Sequence, residues 1–142
     1  MTAVRPRRTG HHGYTLTKTR VPETAVEARY LARVALSAWG LDDMAETAAL
    51  LLSELVANAV RHAHGPTVRI VVDHPADDRV YVAVVDRSPR QLPEMRTPDP
   101  DDVNGRGSLL VDELADRWGY DLMGPGQRPW GKCVWAEMQV SR

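Results

Sequence analysis

The 142-residue chain has one cysteine, Cys133. A single thiol excludes an internal disulfide framework and a cysteine-based metal site. No apolar run approaches the roughly 18 residues that a membrane-spanning helix needs, and no hydrophobic segment follows the basic N-terminus. The chain is therefore expected to be cytoplasmic, with neither a signal peptide nor a membrane span. A surplus of one charge is missing too. Eighteen Lys and Arg stand against 19 Asp and Glu, for a net charge of -1, whereas a dedicated nucleic-acid binder is expected to present a basic face. Sixteen of the 18 basic residues are Arg, which fits a GC-rich coding genome better than any function. No internal repeat is visible. What is present is ordinary for a soluble globular protein, 43% hydrophobic and 26% charged, and long enough to bury one core of its own.

Residues 1–12 carry Arg5, Arg7, Arg8, His11 and His12 without any period and are expected to form a flexible basic tail. The alternation at Tyr14–Lys18 suits an edge strand. Pro22 is expected to open a helix that runs to about Trp39, with Val26, Tyr30, Ala32, Val34 and Leu36 among its apolar positions, and Gly40 to end it. Asp42 or Asp43 can cap a second helix extending to about Ala63, where His64-Gly65-Pro66 stops it. Val68–Val72 and Val80–Val85 then read as an antiparallel hairpin, whose second strand runs straight into Asp86. Residues 87–104 are rich in Pro and Asp and have neither period. A loop of that length inside a compact domain is usually functional or disordered. A short helix after Asn104-Gly105-Arg106-Gly107-Ser108, a strand at Trp118–Asp121 and a final strand carrying Val134, Ala136, Met138 and Val140 complete the order. Helices first and mostly antiparallel strands after them indicate an α+β fold, with the helices packed on one sheet face.

The most informative segment is Glu54-Leu55-Val56-Ala57-Asn58-Ala59-Val60-Arg61-His62. At about 100° per residue, Glu54, Asn58, Arg61 and His62 share one sector of the helix, while Leu52, Val56, Ala59, Val60 and Ala63 lie opposite and read as core. Leu51 and Leu55 border this polar stripe, which places it in a sheltered cleft. A carboxylate and a carboxamide one turn apart can point at the same small object. Arg61 has two readings, a phosphate contact or a pair with an acidic neighbour. His62 is expected to be structural.

Helix with Glu54 and Asn58, strand ending in Asp86, long loop closing at Gly105-Arg106-Gly107: this order resembles the GHKL superfamily of ATPases. More narrowly, it is similar to the stand-alone bacterial anti-sigma-factor serine kinases and their actinobacterial relatives. The resemblance spans roughly residues 20–140. It is strongest at Ser53–Ala63 and at Gly105-Arg106-Gly107-Ser108-Leu109-Leu110-Val111, with support from Gly131-Lys132-Cys133-Val134-Trp135-Ala136. It implies a Bergerat-type ATP-binding fold over residues 13–142, a two-layer α/β sandwich with a mixed, mostly antiparallel sheet.

The resemblance also implies a site. Mg²⁺ takes hard oxygen donors and keeps several waters, so one carboxamide oxygen plus phosphate oxygens suffices; Asn58 is the implied metal ligand. Glu54 is the implied general base for a hydroxyl or water attacking the γ-phosphate of ATP. Asp86 is the implied reader of adenine, whose exocyclic amine it can accept. Arg61, Gly105, Arg106, Gly107, Ser108 and Leu109 are expected around the phosphates, where glycines allow close approach and a helix start offers free N–H groups. Residues 87–104 are the expected lid. The implied activity is that of a protein serine/threonine kinase acting on an antagonist protein and binding a sigma factor, with a homodimer expected and no nucleic acid. The alternative is a protein-binding module on the same fold with little or no ATP turnover.

Two departures favour that alternative. The Asp-x-Gly-x-Gly of the family is replaced by Asp86-Arg87-Ser88-Pro89-Arg90, which has no glycine. Cys133 stands where relatives commonly carry Thr near adenine, and a thiol is a poor hydrogen-bond donor.

Overall fold

The computed structural model describes residues 13–90 and 106–140. The expected tail at 1–12 and the greater part of the expected lid lie outside the described residues. In chain order the elements are β1 (Tyr14–Thr19), α1 (Thr24–Ala38), α2 (Asp42–His62), β2 (Thr67–Ala76), β3 (Arg79–Asp86), α3 (Arg106–Leu114), β4 (Arg117–Met123) and β5 (Gly131–Gln139). The strands form one sheet in the order β1-β2-β3-β5-β4. All pairings among them are antiparallel, so the α+β expectation holds and the described sheet has no parallel component.

Strand alternation decides which residues meet the helices. Val68, Ile70 and Val72 of β2, Val80, Val82 and Val84 of β3, and Val134, Ala136 and Met138 of β5 join one core with α1 and α2. The intervening residues Val71, Ala83, Val85 and Cys133 form a second apolar cluster on the other face, flanked by Tyr81, Met123 and Trp135. That face covers itself. Tyr81 and Trp135 stack with ring centroids 6.3 Å apart, and Trp135 lies where a Cβ on Gly119 would stand 2.9 Å from its ring.

The first helix begins at Thr24, two residues later than Pro22 suggests, and Thr24 Oγ1 donates to Thr19 O at its start. It ends in the way a glycine at this point permits: Gly40 takes φ +72° and Leu41 N–H returns to Leu36 O at 2.8 Å. Its inner face carries Ala28, Leu31, Ala32, Ala35 and Leu36, and the alanines let α2 approach closely. Val26, Tyr30 and Val34 are not core. They are 63%, 69% and 42% exposed, an apolar row along the outside of α1, because the row at i, i+4, i+8 lies on the face opposite Ala28, Ala32 and Ala35. The expected cap of α2 is also absent. Leu41 is the N-cap and no side chain caps it, while Asp42 and Asp43 fall inside the first turn, where their charge suits the helix dipole.

Candidate nucleotide site

Packing and hydrogen bonds hold the end of α2 near the end of β3. Helix α2 packs across β3. At its exit, His64 N–H donates to Ser88 Oγ at 2.5 Å. Arg20, in the link from β1 to α1, donates to Val60 O and Gly65 O at 2.7 Å each and so holds the last turn of α2 in place. Gly65, at φ +90°, makes the turn away from the helix beside Arg87. Glu54 and Asn58 therefore belong to a helix whose C-terminal end is pinned two residues from Asp86.

The polar stripe on α2 is graded in depth. Leu51, Leu52, Leu55, Val56, Ala59 and Ala63 are buried. Glu54 and Asn58 are half-buried, and Arg61 and His62 are exposed. The carboxylate of Glu54 has no hydrogen bond or ion pair among the described residues. Asn58 does have a partner: Arg61 Nη2 donates to its Oδ1 at 2.7 Å. Of the two readings of Arg61, a neighbour contact is the one realised, and the neighbour is the carboxamide rather than an acid.

Asp86 lies on the same side of the sheet as α2, in register with Lys132 on β5. It is 2% exposed. Its Oδ1 accepts two bonds, from Ser88 N–H at 2.8 Å and from Lys132 Nζ at 2.9 Å. Lys132 Nζ also donates to Ser88 O at 2.7 Å. Among the described residues Oδ2 accepts no bond. The close approach of β5 depends on Gly131, where a Cβ would stand 2.2 Å from Asp86 O.

This geometry explains how the segment after Asp86 does without glycine. The bond from Ser88 N–H to the Asp86 carboxylate closes an Asx-type turn, which an ordinary backbone can adopt. No residue other than glycine takes a positive φ among the described residues. Ser88 thus serves three elements at once, through its N–H, its hydroxyl and its carbonyl.

The sequence profile for the histidine kinase-like ATPase domain matches residues 19–138. The chain belongs to this family. No curated protein matches it. As a histidine kinase-like ATPase domain it has an ATP-binding fold, and among its described residues no helix is long and apolar enough to cross a membrane.

The residues of this histidine kinase-like domain fit the groups that such a fold implies. Asn58 Oδ1 is a hard oxygen suited to Mg²⁺, provided that the exposed Arg61 turns away. Asp86 Oδ2 is an acceptor suited to the amine of adenine. Cys133 does not join them. One position along β5 from Lys132, its side chain falls on the opposite face of the sheet, 3.5 Å from Tyr81 Oη, so the residue of β5 that stands on the Asp86 side is Lys132 and not the expected Cys133. Gly105 lies outside the described residues, and Arg106, Gly107, Ser108 and Leu109 form the first turn of α3.

The residues that sequence reasoning passed over are Lys132 and Ser88. Strand parity was the available signal for Lys132. With Val134, Ala136 and Met138 facing the helices, residue 132 must face them too.

Proposed function

We propose that this protein is a Mg-ATP-binding regulator of the anti-sigma-factor serine/threonine kinase type. The observation that carries the reading is the half-buried carboxylate of Glu54, without a partner among the described residues and one turn from Asn58 on a helix pinned beside the buried Asp86. A carboxylate sheltered from water and without a cation partner is suited to accept a proton. In this reading Glu54 takes the proton of a serine hydroxyl on an antagonist protein as the oxygen–phosphorus bond forms and ADP is released. Asn58 holds the metal, and Asp86 selects the base. Mg-ATP supplies the phosphoryl group and the charge neutralisation that its transfer requires. The partner set is a sigma factor and an antagonist protein, with the chain acting as a homodimer in the cytoplasm.

Phosphotransfer from radiolabelled Mg-ATP to a candidate antagonist tests this directly. Wild type is expected to label the partner, and Glu54→Ala to lower the rate by at least 100-fold while still binding nucleotide. Equal labelling by the two proteins would remove Glu54 from its role.

A second reading, a binding module without turnover, is favoured by the exposed row of Val26, Tyr30 and Val34 on α1. Large apolar side chains left in water along one helix suit a protein contact. Titration calorimetry with Mg-ATP, followed by a turnover assay, separates the two. Binding without turnover or transfer leaves the module.

A further inference from the structure

Lys132 is one of only two lysines in a chain that uses Arg at 16 of its 18 basic positions. Its side chain is 4% exposed and that of Asp86 is 2% exposed. Neighbouring positions on the same side of the sheet are apolar, Val84 on β3 and Val134 on β5. Burying an ion pair there is an expensive way to build a sheet. Replacing such a pair with apolar residues of similar volume is often neutral or stabilising, so stability alone is a weak reason for its presence.

The choice of cation points elsewhere. A guanidinium is a planar fork that engages both oxygens of a carboxylate, whereas an ammonium is a point charge with three separate donors. Lys132 uses one donor on Asp86 Oδ1 and a second on Ser88 O. With the Ser88 N–H also on Oδ1, one carboxylate oxygen is saturated from two different elements. The other accepts no bond among the described residues. An arginine at this position would cover both.

We propose that Lys132 is the positioning residue for base recognition: by saturating Asp86 Oδ1 it fixes the carboxylate with Oδ2 presented to the exocyclic amine of adenine. The inference rests on the nucleotide-binding reading above and deepens it. Lys132 acts through Asp86, and its effect is confined to ligands that carry the amine.

The test is a cycle between the side chain and the ligand. Dissociation constants are measured for Mg-ATP and for the triphosphate of purine riboside, which lacks the amine. Wild type is expected to prefer ATP about tenfold. In Lys132→Met the preference falls below about twofold, and in Lys132→Arg it falls similarly although the charge is kept. A merely structural lysine would weaken both ligands equally and leave the ratio intact, and that result would overturn the proposal.

Because either variant can lose its fold, a second measurement uses the intact chain. With lysine labelled in nitrogen-15, the chain gives two ammonium signals, assigned by Lys18→Arg. The Lys132 signal is expected to shift with Mg-ATP and to move much less with the deaminated analogue. Equal shifts sink the role of Lys132. Binding of both nucleotides with equal affinity to wild type also sinks it, while the nucleotide reading stands. Failure of wild type to bind either nucleotide removes the nucleotide reading and this inference together.

Discussion

Asn58 and Asp86 are each held by a cation of their own chain, yet the two pairs differ in almost every physical respect. Arg61 reaches Asn58 from the next turn of the same helix, in the open. Lys132 reaches Asp86 from another strand, buried, with a backbone carbonyl and an amide completing the set. In water the first contact is weak and exchanges readily with solvent. In the second, each charge depends on the other, because neither is solvated once its partner is gone. In the proposed nucleotide reading, the end of the site assigned to the metal is thus closed by a latch that opens at little cost, and the end assigned to the base by a fixed part of the fold. The comparison shows that identical bonding roles can serve opposite purposes according to depth.

The largest expected effect lies at the deep pair. Lys132→Met should lower unfolding stability by about 3–5 kcal/mol, measured by urea denaturation, because it leaves a buried carboxylate uncompensated. Combining it with Asp86→Val should recover a large part of that loss. A loss below about 1 kcal/mol for the single variant would mean that Asp86 is better solvated than its 2% exposure indicates, and the contrast with Asn58 would collapse.

Next comes the strand contact that makes the pair possible. A Cβ at residue 131 would fall 2.2 Å from a backbone oxygen that cannot swing aside. Gly131→Ala should therefore cost about 1–3 kcal/mol by forcing β5 away from β3. It should also weaken the Lys132 bond to Asp86, seen as faster exchange of the labelled ammonium. An unchanged ammonium signal would show that β5 shifts without disturbing the pair.

The difference between the two pairs also marks how far the sequence could be read. The stripe at Glu54, Asn58, Arg61 and His62 was legible because helical periodicity is local, and the structure grades those residues from half-buried to exposed. The hairpin of β2 and β3 and the glycine stop of α1 were legible for the same reason. What depends on pairing between distant strands was not. Cys133 was assigned by its place in a motif, although alternation along β5 sends it to the far face and brings Lys132 to Asp86. The apolar positions of α1 did not reveal which face is buried, since the spacing of Val26, Tyr30 and Val34 satisfies one helical face as well as Ala28, Ala32 and Ala35 satisfy another. Periodicity identifies a face, and only the partner element tells which face is buried.

At the shallow pair the expected change in stability is small. Arg61→Ala should shift the unfolding free energy by no more than about 0.5 kcal/mol, the usual range for an exposed substitution. Its effect should appear in metal-dependent binding, because the carboxamide oxygen of Asn58 is released. In the nucleotide reading, the Mg²⁺ concentration for half-maximal ATP binding should fall in Arg61→Ala and rise steeply in Asn58→Ala. A rise in both would recast Arg61 as a phosphate contact rather than a latch.

The smallest effect belongs to a pair outside the site, which sets the baseline for an exposed contact. Arg33 binds Glu46 through two hydrogen bonds of 2.8 and 3.1 Å between α1 and α2. The hydrogen bond from Arg33 holds the Glu46 carboxyl below its ordinary range. A carboxyl depressed in the folded state adds stability above its unfolded pKa and loses it as pH falls through the folded value. Both side chains are solvent-exposed, so the gain is strongly screened. Glu46→Gln should leave the melting temperature near wild type at neutral pH. The residual difference should shrink in acid and in high salt. A difference that persists in high salt would indicate that the contact works through helix packing instead of charge.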